Sequence, residues 1–143
     1  MRKVLYILTI LLAGVNTAWG QAQTEIDAED VSRIKQVISE QMDAFRVRDG
    51  SKAFSYASPN IRRLFQRPDI FMSMVETGYK PVFEPETVDF LDLSVDPRGL
   101  YQDVYVLGHS GASVVARYYM VELEDLGWKI DGVVMIKSDD LST

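Results

Sequence analysis

Residues 100–137 read LYQDVYVLGHSGASVVARYYMVELEDLGWKIDGVVMIK, and this stretch decides the fold. Three runs rich in Val, Ile and Tyr (100–107, 113–123 and 128–137) are parted by Gly108-His109-Ser110-Gly111 and by Glu124-Asp125-Leu126-Gly127. β-branched and aromatic runs bounded by such polar, glycine-bearing segments predict strands joined by hairpins. Just upstream, Asp96-Pro97-Arg98-Gly99 is a further turn, with Pro and Gly where a tight reversal favours them. It is preceded by a strand over residues 88–95. Within that strand Val88 and Phe90 share one face, whereas Leu91, Leu93 and Val95 fall out of phase with them. The slip between Phe90 and Leu91 predicts a β-bulge, where one extra residue bends and twists the strand.

Further upstream the period changes from two to between three and four. Val31, Ile34, Ile38, Met42 and Phe45 form one helical stripe. Asp27 suits the N-cap, Glu29 and Asp30 favour the positive end of the helix dipole, and Ile26 with Val31 suits a hydrophobic staple. Arg46 and Arg48 fall in the last turn, and Gly50 is expected to supply the left-handed stop. A short helix is expected over 51–57, with Ala53, Phe54 and Ala57 on one side. Ser58-Pro59 restarts the chain as N-cap and first helical residue, with Ile61, Leu64 and Phe65 inward. Arg67-Pro68-Asp69 begins another helix through Phe71, Met74 and Val75, ending at Gly78. Pro81 and Pro85 bracket Val82-Phe83, read as extended. Helices first and a strand meander second make an α+β domain.

The layout resembles the nuclear-transport-factor-2-like superfamily, the cystatin-like cone in which N-terminal helices pack in the concave face of a curved antiparallel sheet. Trp128-Lys129-Ile130-Asp131-Gly132-Val133 is similar to its last-strand pattern. Three segments carry a closer likeness: Gln41-Met42-Asp43-Ala44-Phe45, Ala57-Ser58-Pro59-Asn60-Ile61-Arg62, and Phe71 and Met74-Val75 followed by Tyr79-Lys80-Pro81-Val82. They resemble an uncharacterised bacterial family, domain of unknown function 4864, over about residues 34–136. The resemblance implies a fold and an exported bacterial setting, and no activity.

The 143-residue chain begins like a secretory protein. Arg2 and Lys3 form a positive n-region, residues 4–15 are mostly apolar, and Ala18-Trp19-Gly20 places small residues around a cut before Gln21. A bilayer span needs about 20 apolar residues, and Gly14, Asn16 and Thr17 break this run. The pattern predicts a signal peptide over 1–20 and a single domain over 21–143, periplasmic or secreted, with no membrane span after cleavage.

The inventory excludes several chemistries. There are no cysteines, so disulfides, thiolate metal sites and cysteine nucleophiles are absent. A formal charge of −6 and the lack of any Lys/Arg cluster argue against nucleic-acid binding. His109 is the sole histidine and sits in a glycine-rich turn, which suits neither a Ser-His-Asp triad nor a metal site. No catalytic residue, metal ligand or cofactor is assigned. Enzymes of the resembled superfamily use a buried carboxylate base with a Tyr or acid donor, and an isomerase or lyase of that kind is the alternative function. Asp103 and Asp131 are the strand carboxylates to consider for that role, but both alternate with apolar residues and are expected to face solvent.

The remaining feature is aromatic. Tyr56, Phe71, Tyr79, Phe83, Tyr118 and Trp128, with Arg62 nearby, form the candidate ligand pocket at the mouth of the cone. Two readings stand: these side chains wall a site for a small apolar or mixed ligand, or they fill the core with their hydroxyls bonded to backbone. Arg62 is expected to be partly buried and bonded to a carboxylate or to carbonyls, because its planar group can join several acceptors at once. On the central strands both faces are apolar. Val104 and Val106 oppose Tyr101, Tyr105 and Leu107; Val114, Ala116, Tyr118 and Met120 alternate with Val115, Tyr119, Val121 and Leu123. Only Asp103 and Arg117 interrupt, and they can pair across strands. Helices cover one face, so the other is expected to carry a homodimer or a protein partner.

Overall fold

The computed structural model describes residues 25–141. The signal-peptide reading of residues 1–20 lies outside the described residues.

Helix α1, Ala28–Arg46, opens with a reciprocal capping box. Asp27 accepts from the Asp30 amide at 2.8 Å, and Asp30 accepts from the Asp27 amide. Two of the amides that a helix start leaves unpaired are thereby satisfied. Ile34, Ile38, Met42 and Phe45 are all buried, as their spacing predicts. The stop differs from expectation. Arg48 takes the left-handed conformation, with φ of 58°, and its amide and that of Asp49 close back on Phe45 and Ala44. Asp49 then caps the next helix by accepting from the Lys52 amide at 3.0 Å. Gly50 is therefore the first residue of α2, Gly50–Ser55, rather than a terminator.

Helix α3, Pro59–Phe65, begins as predicted, with Ser58 as cap and Pro59 leading. Ile61 and Phe65 are half-buried, but Leu64, expected to point inward, is 72% exposed. Helix α4 is Pro68–Gly78. Val82 and Phe83 are not extended as expected. They close a fifth helix, α5, Lys80–Phe83, in which the Tyr79 carbonyl accepts from both their amides at 3.0 Å. Pro81 sits in the first turn, where its missing N–H is not needed by the helix. No helix among the described residues is long and apolar enough to cross a membrane.

Four antiparallel strands follow in the order β1-β2-β3-β4: Pro85–Asp96, Gly99–Gly108, Ser113–Leu123 and Gly127–Lys137. The whole is an α+β fold of N-terminal helices and a curved sheet, consistent with the cone expected above. The bulge expected in β1 is present as a register shift between Phe90 and Leu93. The shifts at Pro85/Thr87 and at Tyr119/Met120 were not expected. Tyr119 pairs with Gly132 and Met120 with Ile130, so Asp131 is the extra residue in β4. Across that bulge, Ile130 and Val133 lie opposite the inward-facing Met120 and Tyr118.

The two faces of the sheet are built differently. Val104, Val106, Ala116, Tyr118, Trp128 and Ile130 are buried beneath the helices, and the Trp128 indole donates to Asp30 at the start of α1. On the outer face Arg117 and Asp103 pair across strands through two bonds of 2.9 Å. The same guanidinium lies 3.9 Å from the Tyr101 ring centroid, and Tyr101 meets Tyr119 edge-on at 5.9 Å. Residues 56–58 lie along the outer edge of β4. The Ser58 amide donates to the Ile130 carbonyl at 2.8 Å and the Ile130 amide to the Tyr56 carbonyl at 2.9 Å. Backbone groups that an edge strand would otherwise expose are paired there.

Candidate functional site

Because the helices meet β4 through short segments, a space is left between them. Its volume is about 370 Å³. Phe45 and Gln41 of α1 form its floor, Ile61 and Phe65 of α3 one wall, Met74 and Val75 of α4 another. The bulged stretch of β4 from Ile130 to Val134 closes the side, and Arg98 from the β1–β2 turn reaches the rim.

The lining is mainly apolar, with four polar or charged side chains of larger size. Gln41 is buried and donates through Nε2 to the Ala53 carbonyl at 3.1 Å, which ties α1 to α2 beneath the cavity. Tyr79 is half-buried at the α4–α5 junction. Asp131 is half-buried and accepts from the Ser58 hydroxyl at 2.6 Å. Ser58 is itself almost fully covered, so this one hydroxyl both caps α3 and holds the bulge. Asp131 was expected to face solvent; the bulge turns it to the helix side instead. Asp103 does lie on the outer face, against Arg117. Among the described residues, Asp131 is the one carboxylate that lines the cavity.

Of the seven residues predicted from sequence, the structure brings Phe71 and Tyr79 to the cavity. The other five lie elsewhere. Tyr56 donates its hydroxyl to Glu40 at 2.8 Å. Partial burial, followed by that carboxylate, pushes its phenol up to about 12, while Gln36 and then Tyr56 hold Glu40 below the usual carboxylate range. Phe83 is core, packed on Phe45 at 5.4 Å between ring centroids. Tyr118 is 0% exposed beneath the helices. Trp128 is buried and spent on Asp30. Arg62 corrects an explicit expectation: it is exposed, its guanidinium lies 5.6 Å from the Phe54 ring centroid, and its side chain makes no hydrogen bond among the described residues. It sits on a helix only seven residues long, with its guanidinium laid on an aromatic ring instead of a carboxylate or carbonyl.

Gln41 and Arg98 were missed by sequence reasoning, and Asp131 was weighed but assigned to the wrong face. Asp131-Gly132 inside a strand was the available signal, since glycine in a strand interior often marks a bulge or a close approach. Among the described residues, no three His, Cys, Asp or Glu side chains gather as a metal site would require.

The fold and cavity define an α+β domain with helices over one face of an antiparallel meander and a small apolar space at the sheet edge. The chain belongs to the family described as domain of unknown function (DUF4864), whose model matches residues 27–143. No curated protein and no solved structure matches it.

Proposed function

We propose that the domain is a non-catalytic binding module that holds a small, largely apolar ligand between the helices and β4. The observation that carries this reading is the cavity of about 370 Å³, walled by Phe45, Ile61, Met74 and Val133 with few polar groups. That combination is the usual form of a small-molecule site. The alternative, a lyase or isomerase with a carboxylate base, draws on Asp131. Binding is favoured over it because Asp131 already accepts from Ser58, and among the described residues no histidine or second carboxylate lines the cavity to relay a proton. The uncharged fluorescent probe phenylnaphthylamine is expected to bind the purified protein saturably at one site. Ile61→Trp, which fills the space, should abolish that binding while the variant still melts cooperatively. Absence of any saturable signal with the wild-type protein would remove the reading.

A second reading concerns partners. Tyr105, Leu107, Val121 and Ile136 lie half-buried on the outer sheet face, and Val134 there is 40% exposed. An apolar face that helices do not cover suits an isologous homodimer. Sedimentation at micromolar concentration is expected to show a dimer that Val134→Lys weakens; a wild-type monomer under those conditions would exclude it.

A further inference from the structure

We infer that the ligand carries an anionic group, such as a carboxylate, and that Arg98 receives it at the rim of the cavity. This rests on the binding reading above and names the chemistry of what is bound.

Arg98 is held from three directions. Its backbone is set by the turn: the Asp96 carboxylate accepts from the amides of Arg98 at 2.8 Å and Gly99 at 3.2 Å, and Gly99 has φ of 138°, open to glycine and strained for other residues. Its guanidinium lies 4.2 Å from the Tyr119 ring centroid. That ring is fixed by its hydroxyl, which donates to the same Asp96 at 2.7 Å. The end of the side chain lies against Gly132. A Cβ there would sit 2.5 Å from Nη2 of Arg98, so a side chain at this position would push the guanidinium aside. Glycine in β4 thus leaves the space that lets the guanidinium reach the edge of the cavity, beside residues 131–134.

Beyond its stacking on Tyr119, the charge so placed meets no acidic partner among the described residues. Arg33, Arg46, Arg48, Arg67 and Arg117 each make an ion pair with an acidic side chain. Arg98, like Arg62 and Arg63 on α3, makes none among the described residues, and of these three it is the one that lines the cavity, in a chain with 21 acidic residues to 15 basic ones. Asp96, the acid of the same turn, is occupied by Tyr119 and two amides. Asp131 is engaged on the helix side by Ser58. A guanidinium presents a planar set of donors that matches a carboxylate in two parallel bonds. Stacked on one ring and fixed at its root, Arg98 loses little freedom on making them. The apolar body of the ligand would lie among Phe45, Ile61 and Met74, and its anionic end would meet Arg98 at the rim.

The test compares two probes of similar shape: anilinonaphthalene sulfonate, which is anionic, and phenylnaphthylamine, which is not. The sulfonate stands for the ligand's anion. The anionic probe is expected to bind about tenfold more tightly, a difference that narrows as salt is raised because the rim is open to solvent. Arg98→Gln, an exposed turn residue whose loss leaves the core intact, should weaken the anionic probe about tenfold and leave the uncharged one within about twofold. Gly132→Ala, which keeps the arginine but displaces it, should reproduce that selective loss. Equal binding of the two probes by the wild-type protein, or an Arg98→Gln variant that keeps its preference for the anion, overturns the inference and leaves the cavity reading standing. Failure of both probes to bind the wild-type protein removes the two together.

Discussion

Phe45→Ala should lower the free energy of unfolding by about 3–5 kcal/mol, toward the upper end of that range. Phe45 is 1% exposed, and its ring packs on Phe83 at 5.4 Å and Phe71 at 6.1 Å. The cost of deleting a core ring depends on how far the neighbours can close the gap. Here they are held from other sides. Phe71 also meets Phe54 at 5.2 Å and Phe65 at 5.9 Å, and Phe83 lies under the Arg48 guanidinium at 4.3 Å. Phe45 also forms part of the cavity floor, so truncation adds its volume to an existing space, and little of that volume collapses. Denaturant melts of the wild type and the variant measure the difference. A loss under about 1 kcal/mol would mean that α1 is peripheral and that the fold rests on the sheet alone.

The elements that were legible in sequence are those whose side chains repeat over many residues. The stripe from Ile34 to Phe45 buries as its spacing requires, and β3 runs over the same residues, 113–123, that the alternating apolar run marks. The bulge in β1 was legible because Phe90 and Leu91 are both apolar and adjacent, which a regular strand with one wet face does not allow. The bulge in β4 carries the same kind of signal, hidden in a longer apolar run. Val133 and Val134 are adjacent, so the phase slip after Ile130 looks like two buried faces rather than an inserted residue. With that slip missed, Asp131 counts as outward; with it, the carboxylate turns to Ser58 and to the cavity. Arg62 and Arg98 fail to show for a different reason. Where a long side chain goes depends on what lies several ångströms away in space. Arg62 lies on the Phe54 ring, whereas Arg98 finds Tyr119 and the bare backbone of Gly132, 21 and 34 positions along the chain. Spacing along one strand or helix carries no record of such pairings. The aromatic list had the same weakness: Tyr118 and Trp128 sit on the inward face as alternation predicts, but alternation does not distinguish the part of that face under α1 from the part beside the cavity.

Gln102→Leu should cost about 2 kcal/mol, and the loss should be concentrated in β1. Gln102 is 0% exposed. Its Nε2 reaches the carbonyls of Leu91 and Asp103 at 2.9 Å and of Asp92 at 3.4 Å. Leu91 and Asp92 are the residues that the β1 bulge removes from the ladder with β2, so this amide supplies a donor where the sheet does not. Leucine conserves most of the volume but takes the donor from these part-buried carbonyls, at a cost toward the middle of the range of about 1–3 kcal/mol for leaving a buried group unpaired. Part of that is returned, because Oε1 of Gln102 is itself buried without a partner among the described residues, and leucine removes it. Across the strand pair stands Tyr118, whose hydroxyl is likewise buried and unpartnered among the described residues and whose phenol burial pushes up. Tyr118→Phe deletes an unsatisfied group and no bond, and should leave stability unchanged or raise it by up to about 1 kcal/mol. The two substitutions on facing residues therefore move stability in opposite directions, and hydrogen exchange of the amides at residues 91–93 should speed up in the Gln102 variant alone. Equal destabilisation by both, with no change in exchange at the bulge, would show that the two polar groups support one another and that the β1 bulge holds without the glutamine.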